Sequence, residues 1–212
     1  MIQPGPERSA EPGQPEAGPE NRRQLPSADS ALVEGVRRQE PVALGRFFDL
    51  YFDRIYGLAY RLLGSRALAE DAAQEVCYRI QRGAHRLDPA RDPAPWVLAV
   101  AMNTCRSIRR SSQTRWWRRT RSLESTTGEP VALVDPALGP EERLLAQERE
   151  RQVQEALVRL DQRLAEVVIL HDYQGLDHKE IAQALDLSHE AVRKRYSRAL
   201  AALARLLSGE KA

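Results

Sequence analysis

The segment from Gly175 to Leu203 constrains the fold of this chain more than any other. Its sequence is GLDHKEIAQALDLSHEAVRKRYSRALAAL, and its apolar residues recur at the spacing of two short helices that pack on each other. These apolar positions are Ile181, Ala182, Leu185, Leu187, Val192, Ala199 and Leu203. Ser188 stands where its hydroxyl would accept a free backbone N–H of the second helix, as N-cap residues do. The pattern predicts a helix-turn-helix.

The second helix of this pair places its polar side chains on the side away from the predicted core. A helix that enters a major groove carries short or polar residues near its start and cations further along, and this helix has that order. The candidate contacts are Ser188, His189, Arg193, Lys194, Ser197 and Arg198. The order favours DNA binding. An ordinary helical hairpin with a solvated basic face is the alternative.

Changes in composition divide the chain into two helical domains and predict an all-α fold. Residues 1–29 are rich in Pro, Gly and Glu, which predicts a disordered extension. Residues 30–112 carry a helical apolar stripe, in which Gly64 would end one helix and Ser65 would cap the next. Residues 113–139 hold Gly and Pro without periodicity and are predicted to be a flexible linker. Helical periodicity resumes over 140–208 as the second domain.

Composition and short motifs exclude several classes of protein. The net charge is only +2, so affinity for nucleic acid must come from local patches. The absence of a long apolar run and of a signal-peptide core predicts a cytoplasmic protein that does not insert into a membrane. Cys77 and Cys105 are isolated and are expected to be reduced. No catalytic, metal-binding or cofactor motif is present, which predicts a protein without a cofactor that is not an enzyme.

An acidic face is predicted on the second helix of the first domain. At 100° per residue, Glu70, Asp71 and Gln74 fall opposite the apolar positions. Such a face suits a basic partner helix, although a solvated acidic surface is the alternative. A catalytic pair of carboxylates is disfavoured because no pocket-forming motif accompanies these residues.

Two further features suit single-stranded nucleic acid. The helix predicted over 96–110 places Trp96, Asn103, Arg106 and Arg110 on one stripe, where an aromatic ring, an amide and cations could meet a base and its phosphate. The alternative makes Trp96 a core anchor and Asn103 a structural hydrogen-bonding residue. The run 106–121 then has seven arginines, no acidic residue and the pair Trp116–Trp117. A solvated linker is the alternative there.

Three runs of the sequence together resemble a known family. The first is AEDAAQEV at Ala69–Val76, the second extends from Trp96 through NTCRSIRR, and the third spans Ala156–Leu200. Their order and spacing resemble the extracytoplasmic-function (group 4) sigma factors of the sigma-70 family.

The resemblance implies roles for named residues. Glu70, Asp71, Gln74 and Glu75 would dock on the β′ clamp of core RNA polymerase. The −10 element of the promoter would be met by His85, Arg91, Trp96, Asn103, Arg106, Arg109 and Arg110. The −35 element would be met by the face of the second helix described above, and the same domain would bind the β flap. An anti-sigma factor is a further expected partner.

Two other functions remain open at the level of sequence. A stand-alone helix-turn-helix repressor or activator would bind duplex DNA without polymerase. An all-helical adaptor that binds only protein would not depend on the cations of the last helix. The family resemblance favours the sigma factor over both.

Overall fold

The computed structural model describes residues 28–119 and 139–208. Every element within these two ranges is helical. The predicted N-terminal extension lies outside the described residues except for its last two positions, and so does most of the predicted linker. The side chains of Trp116 and Trp117 also lie outside what is described.

The first domain consists of four α-helices and a short 3₁₀ turn. Their bounds are α1 Ser30–Arg37, α2 Pro41–Leu63, α3 Arg66–Gly83, the 3₁₀ turn Ala84–Arg86, and α4 Ala94–Arg119. The core between them is built from side chains that are fully or almost fully buried, including Phe47, Tyr51, Ile55, Leu58, Ile80, Leu98 and Met102. These positions repeat at steps of three and four, so each helix presents one apolar stripe to its neighbours.

The turn between α2 and α3 follows the sequence prediction. Gly64 takes a left-handed conformation with φ 68°, and its backbone N–H donates to the carbonyl of Tyr60 at 2.8 Å. Glycine suits this position because a Cβ disfavours positive φ. The Ser65 hydroxyl then accepts from the backbone N–H of Leu68 and caps α3. Both predicted caps are confirmed.

Helix α4 is longer than the sequence predicts. The expected helix ends near Arg110, and residues 113–139 are expected to be linker. In the structure the helix begins at Ala94, whose N–H donates to Asp92 at 2.9 Å, and continues to Arg119. The predicted start of the linker is therefore wrong. No Gly or Pro occurs between Pro95 and Arg119, and arginine is a good helix former, so nothing local stops the helix earlier.

The second domain has four α-helices and one π-helical turn. Their bounds are α5 Pro140–Arg159, α6 Gln162–Val168, the π-turn Ile169–Tyr173, α7 His178–Leu185 and α8 His189–Leu207. Pro140 occupies the first turn of α5, where its missing N–H costs nothing. Helix α5 is the first described helix after the predicted linker.

Helices α7 and α8 form the predicted helix-turn-helix. Asp177 caps α7 by accepting from the N–H groups of Lys179 and Glu180, while the Glu180 carboxylate accepts from the N–H of Asp177. The tight turn uses Asp186 at φ 53°, and Ser188 caps α8 through a 3.1 Å hydrogen bond from the N–H of Ala191. The cap at Ser188 is the one predicted from sequence.

The two domains pack against each other, which the prediction of two domains on a tether does not include. The Gln154 amide of α5 donates to the carbonyls of Tyr60 and Arg61 at the end of α2, at 3.1 and 3.3 Å. Val158 of α5 lies over Gly64, so that a Cβ added there would be 2.8 Å from its Cγ2. The end of α2 is therefore covered by α5.

Candidate nucleic-acid interface

The outer face of α8 presents the residues expected to meet duplex DNA. Val192 and Ala199 of α8 are completely buried. Their burial fixes the orientation of the helix about its own axis and so determines which side chains face outwards. All of the candidate contacts are exposed, and they are Ser188, His189, Arg193, Lys194, Ser197 and Arg198. Lys194 forms an exposed ion pair with Glu190 one turn earlier, at 2.6 Å. Such an exposed pair is weak, so the Lys194 ammonium can exchange it for a phosphate.

A cluster of histidines joins the two helices of the helix-turn-helix to the π-turn. The ring centroid of His178 lies 5.0 Å from that of His171, 6.0 Å from that of His189 and 5.3 Å from that of Tyr196. Its buried Nε2 has no hydrogen-bond partner among the described residues. Burial lowers the pKa of His178, and the nearby His171, His189 and Arg193 lower it further.

The acidic face of α3 is open to solvent. Glu70, Asp71 and Gln74 are exposed, while Ala69, Ala72, Ala73, Val76 and Ile80 are buried on the other side. Glu75 is partly buried and pairs with Arg79 at 2.6 Å along the same helix. The structure therefore brings the predicted polymerase-binding residues together on one surface.

The predicted −10 contacts are divided between two places. His85 is exposed in the 3₁₀ turn, and Arg91 is exposed in the segment before α4, where it pairs with Asp88 at 3.3 Å. The remaining candidates all lie on α4, and they are Trp96, Asn103, Arg106, Arg109 and Arg110.

One residue of the predicted stripe on α4, Trp96, packs against α3. The Trp96 ring lies over Gly83 at the end of α3, where an added Cβ would be 3.1 Å from its Cζ2, and the ring is only partly exposed. This placement agrees with the core-anchor alternative for Trp96. Asn103 is exposed and accepts a 3.2 Å hydrogen bond from Arg106 Nη1. The Asn103 carboxamide therefore faces solvent beside a guanidinium.

Arg106 is bound by a residue of the other domain that the sequence analysis missed. Its Nε and Nη2 donate to the two carboxylate oxygens of Glu166 at 2.7 and 2.6 Å. The Glu166 side chain is only 1% exposed, and it also accepts from Gln162 Nε2 at 3.0 Å. A sequence signal for this existed, because Glu166 stands within the apolar run LAEVVIL, and a buried carboxylate needs a cationic partner.

Two more arginines of the first domain contact the second domain. Arg54 donates to the side-chain and backbone oxygens of Gln174 at 3.2 and 3.1 Å. Arg61 pairs with Glu150 at 2.6 Å, and its guanidinium lies 3.5 Å from the centroid of the Tyr173 ring. Arg54, Arg61 and Arg106 therefore each bind the second domain through polar groups.

Comparison with known proteins identifies the family. Residues 47–116 match the family model described as Sigma-70 region 2, and residues 150–203 match the model described as Sigma-70, region 4. The ECF RNA polymerase sigma factor BldN of Streptomyces coelicolor is 32% identical over 192 residues, which cover 88% of this chain and 70% of that protein. The chain belongs to the ECF sigma factors of the sigma-70 family. As a sigma factor it binds core RNA polymerase and promoter DNA and directs transcription initiation.

More distant relatives agree with the fold of this sigma factor. ECF RNA polymerase sigma factor SigW of Bacillus subtilis is 27% identical over 177 residues, which cover 82% of this chain and 94% of that protein. A crystal structure of the sigma factor RpoE with the anti-sigma factor NepR, from Bartonella quintana, matches with a TM-score of 0.63 at 18% identity. That match covers 79% of this chain and 98% of the RpoE chain, and it supports the all-helical fold.

The described part of the sigma factor contains neither a candidate membrane span nor a candidate metal cluster. No helix there is both long and apolar enough to cross a bilayer. The described residues also contain no group of three or more His, Cys, Asp and Glu side chains that could hold a metal ion.

Proposed function

We propose that three separate surfaces of this sigma factor bind the −35 element, core polymerase and the −10 strand. The observation that carries the proposal is the outer face of α8. There, every candidate −35 contact is exposed, while Val192 and Ala199 anchor the opposite side in the core. In this proposal α8 enters the major groove of the −35 element. Arg193 and Arg198 supply bidentate donors suited to guanine or phosphate, and Ser188 and His189 lie at the end of the helix that meets base edges.

The proposed polymerase contact is the acidic face of α3. Glu70, Asp71 and Gln74 form an exposed polar surface with no buried charge of its own, so docking of a basic partner requires little rearrangement. Glu75 is available once it releases Arg79, since a half-exposed helical pair contributes little stability. The proposed partner is the clamp of the β′ subunit, and the second domain would contact the β flap.

The proposed −10 contacts hold one unpaired strand along α4. Asn103 offers an amide to a base edge, while Arg106, Arg109 and Arg110 offer charge to the sugar-phosphate backbone. His85 and Arg91 are exposed in the segment that leads into this helix, where they would border the same strand. Trp96 supports the stripe through its packing on Gly83.

In this proposal the sigma factor contributes binding and positioning, and the chemistry of RNA synthesis stays with the polymerase. Since its partners are core polymerase and promoter DNA, its place of action is the bacterial cytoplasm. An anti-sigma factor is proposed as a further partner. The co-crystal of RpoE with NepR is a precedent in a protein of the same fold.

The test is run-off transcription with purified core polymerase and a library of genomic fragments. We expect initiation at a restricted set of sites only when the sigma factor is present. Normal binding to core polymerase without specific initiation would contradict the proposal. A footprint on duplex DNA in the absence of polymerase would instead favour a stand-alone regulator.

A further inference from the structure

The first turn of α8 carries proposed base contacts but has almost no anchor of its own. Ser188, His189 and Glu190 are exposed, and the first buried side chain of this helix is that of Val192. The Ser188 hydroxyl caps the turn by accepting from the backbone N–H of Ala191 at 3.1 Å. The end of a helix opens readily where it has few buried contacts. The direction of this turn therefore depends on what the ring of His189 contacts.

The ring of His189 packs against the ring of His178, which begins α7. Their centroids lie 6.0 Å apart in an edge-to-face arrangement, with 61° between the ring planes. The centroid of His178 also lies 5.0 Å from that of His171 in the π-turn and 5.3 Å from that of Tyr196 in α8. The Tyr196 ring lies 4.5 Å from His171, and its hydroxyl donates to Asp172 at 2.8 Å. His178 thus connects the π-turn to the first turn of α8.

The carboxylates at the border of this cluster already have other hydrogen-bond donors. Asp172 accepts from the Tyr196 hydroxyl and lies 2.6 Å from His171 Nδ1. Asp177 accepts from the first backbone N–H groups of α7. The buried Nε2 of His178 has no hydrogen-bond partner among the described residues. A proton on this nitrogen would lack an acceptor there, and a buried charge without a partner costs free energy.

Most of the ionisable groups that face His178 carry positive charge or gain it in acid. They are His171 from the π-turn and His189 and Arg193 from α8, while Asp177 is the opposing charge. Burial lowers the pKa of His178, and these three groups lower it further. A proton on His178 would repel Arg193, and it would also repel His189 once that ring is protonated. Both repulsions act on the part of α8 that the ring of His178 contacts.

We propose that His178 is a positioning residue for −35 recognition, whose neutral ring holds the first turn of α8 and whose protonation releases that turn. The inference rests on the proposed role of α8 at the −35 element, and it adds a residue that acts through His189 and Arg193. Because the complex excludes a proton, DNA binding weakens as the pH falls, towards a limit of about tenfold per pH unit. The direction is diagnostic, since positive charge gained elsewhere in acid strengthens binding to phosphate.

The experiment compares the unchanged chain with His178→Phe and His178→Ala. Phenylalanine keeps a ring beside His189 but does not titrate, whereas alanine removes the ring. The matched control is Gln183→Ala, because Gln183 is exposed on α7 outside the cluster. Each chain is assembled with core polymerase, and its binding to a fluorescein-labelled duplex is measured by anisotropy between pH 7.5 and pH 5.5. The duplex carries the −35 region alone of the promoter that gives the most run-off transcript. Circular dichroism confirms at each pH that the chains are folded.

We expect His178→Phe to bind the duplex as the unchanged chain does at pH 7.5 and to keep that affinity at pH 5.5. The unchanged chain and Gln183→Ala should both lose affinity over this range, with a slope that steepens towards about tenfold per pH unit. His178→Ala should bind about fivefold more weakly at pH 7.5, the lower end of usual couplings between sites. Parallel pH profiles of the unchanged chain and His178→Phe would overturn the proposal, and so would full affinity of His178→Ala at pH 7.5.

A second measurement needs neither DNA nor polymerase and so separates this proposal from the proposed function. The amide hydrogen exchange of Ala191 and Val192, divided by the intrinsic rate at each pH, reports on opening of the first turn of α8. Protection should fall between pH 7.5 and pH 5.5 in the unchanged chain and stay constant in His178→Phe. Equal protection of the two chains at both pH values would overturn the proposal. A failed run-off assay together with the expected change in protection would count against the proposed function alone.

Discussion

His178 and His189 are the first residues of the two helices of the helix-turn-helix, and their ring centroids lie 6.0 Å apart. Burial lowers the pKa of His178, and its place at the positive end of the α7 dipole also disfavours the charged imidazolium. His171 and Tyr196 close the cluster around His178, which also faces Arg193 and Asp177. The packing of the helix-turn-helix therefore favours the neutral imidazole of His178.

This cluster predicts that the second domain loses stability in mild acid. The pKa of His178 is lower in the folded chain than its usual value of 6.5, so the unfolded chain binds the proton more readily. The contribution is fully present above about pH 6.5 and is lost as the pH falls towards the folded pKa. Thermal melting should show a lower Tm at pH 5.5 than at pH 7.5.

Two variants check the assignment of this pH dependence. His178→Gln should reduce the difference in Tm between the two pH values, because it removes the titrating group. His85→Gln is the matched control, since His85 is exposed in the first domain, and it should leave the difference unchanged. If both variants showed the same difference in Tm between pH 5.5 and pH 7.5, the pH dependence would belong to other groups.

Gly64→Ala is expected to destabilise the chain by about 1–2 kcal/mol from backbone strain alone, because Gly64 has φ 68°. A further loss comes from the contact with Val158, whose Cγ2 lies 2.8 Å from the position of the new methyl group. Denaturant unfolding measures the total. Adding Val158→Ala should recover the steric part and leave the strain, and a double variant with no recovery would contradict this contact between the domains.

Replacing Arg193 and Lys194 by Ala should weaken binding of the holoenzyme to −35 duplex DNA. Each lost phosphate contact lowers the slope of log affinity against log salt by about 1, so the pair should lower it by about 2. Binding to core polymerase should not change. The control replaces Arg37 and Arg38 by Ala. Both lie in α1, far from α8 in the sequence, and both pair with Glu34. An unchanged salt dependence in the α8 variant would argue against this surface.

Reversing the charge of Glu70 should weaken binding to core polymerase while leaving the fold intact. Glu70 is exposed on α3, so Glu70→Lys creates no buried charge, yet it opposes a basic partner surface. Pull-down with core polymerase measures the effect. Asp49→Lys on α2 is the control because Asp49 is an exposed carboxylate outside the proposed surface. Equal retention of Glu70→Lys and the unchanged chain would exclude Glu70 from the contact.

Local signals in the sequence predicted much of the fold. Gly64, Ser65 and Ser188 mark helix ends because capping depends on neighbouring residues alone. The sequence did not predict that α4 continues to residue 119. Residues 111–119 lack a strong stop signal, but the lack of such a signal does not by itself indicate a helix. The exposure of the α8 and α3 faces followed directly from their 3.6-residue period.

Contacts between the domains could not be predicted in this way. Arg106 and Glu166 are separated by 60 positions, and no periodic pattern joins them. Glu166 was visible only as a charge within an apolar run, which indicates a buried partner but does not name it. The histidine cluster could not be predicted either, because His171, His178 and His189 lie on three different elements and no helical period joins their positions.

The hydrogen bonds that Gln154 donates to the carbonyls of Tyr60 and Arg61 also bear on how freely the halves of this chain can be recombined. They join α5 to the last turn of α2, so each half carries one side of a matched surface. A chimera that takes residues 140–208 from another sigma factor would replace Gln154 and the rest of α5, so this match would be lost. In the proposed function such an exchange would move the −35 contacts, whereas the fit between α5 and the end of α2 belongs to the original pair of halves.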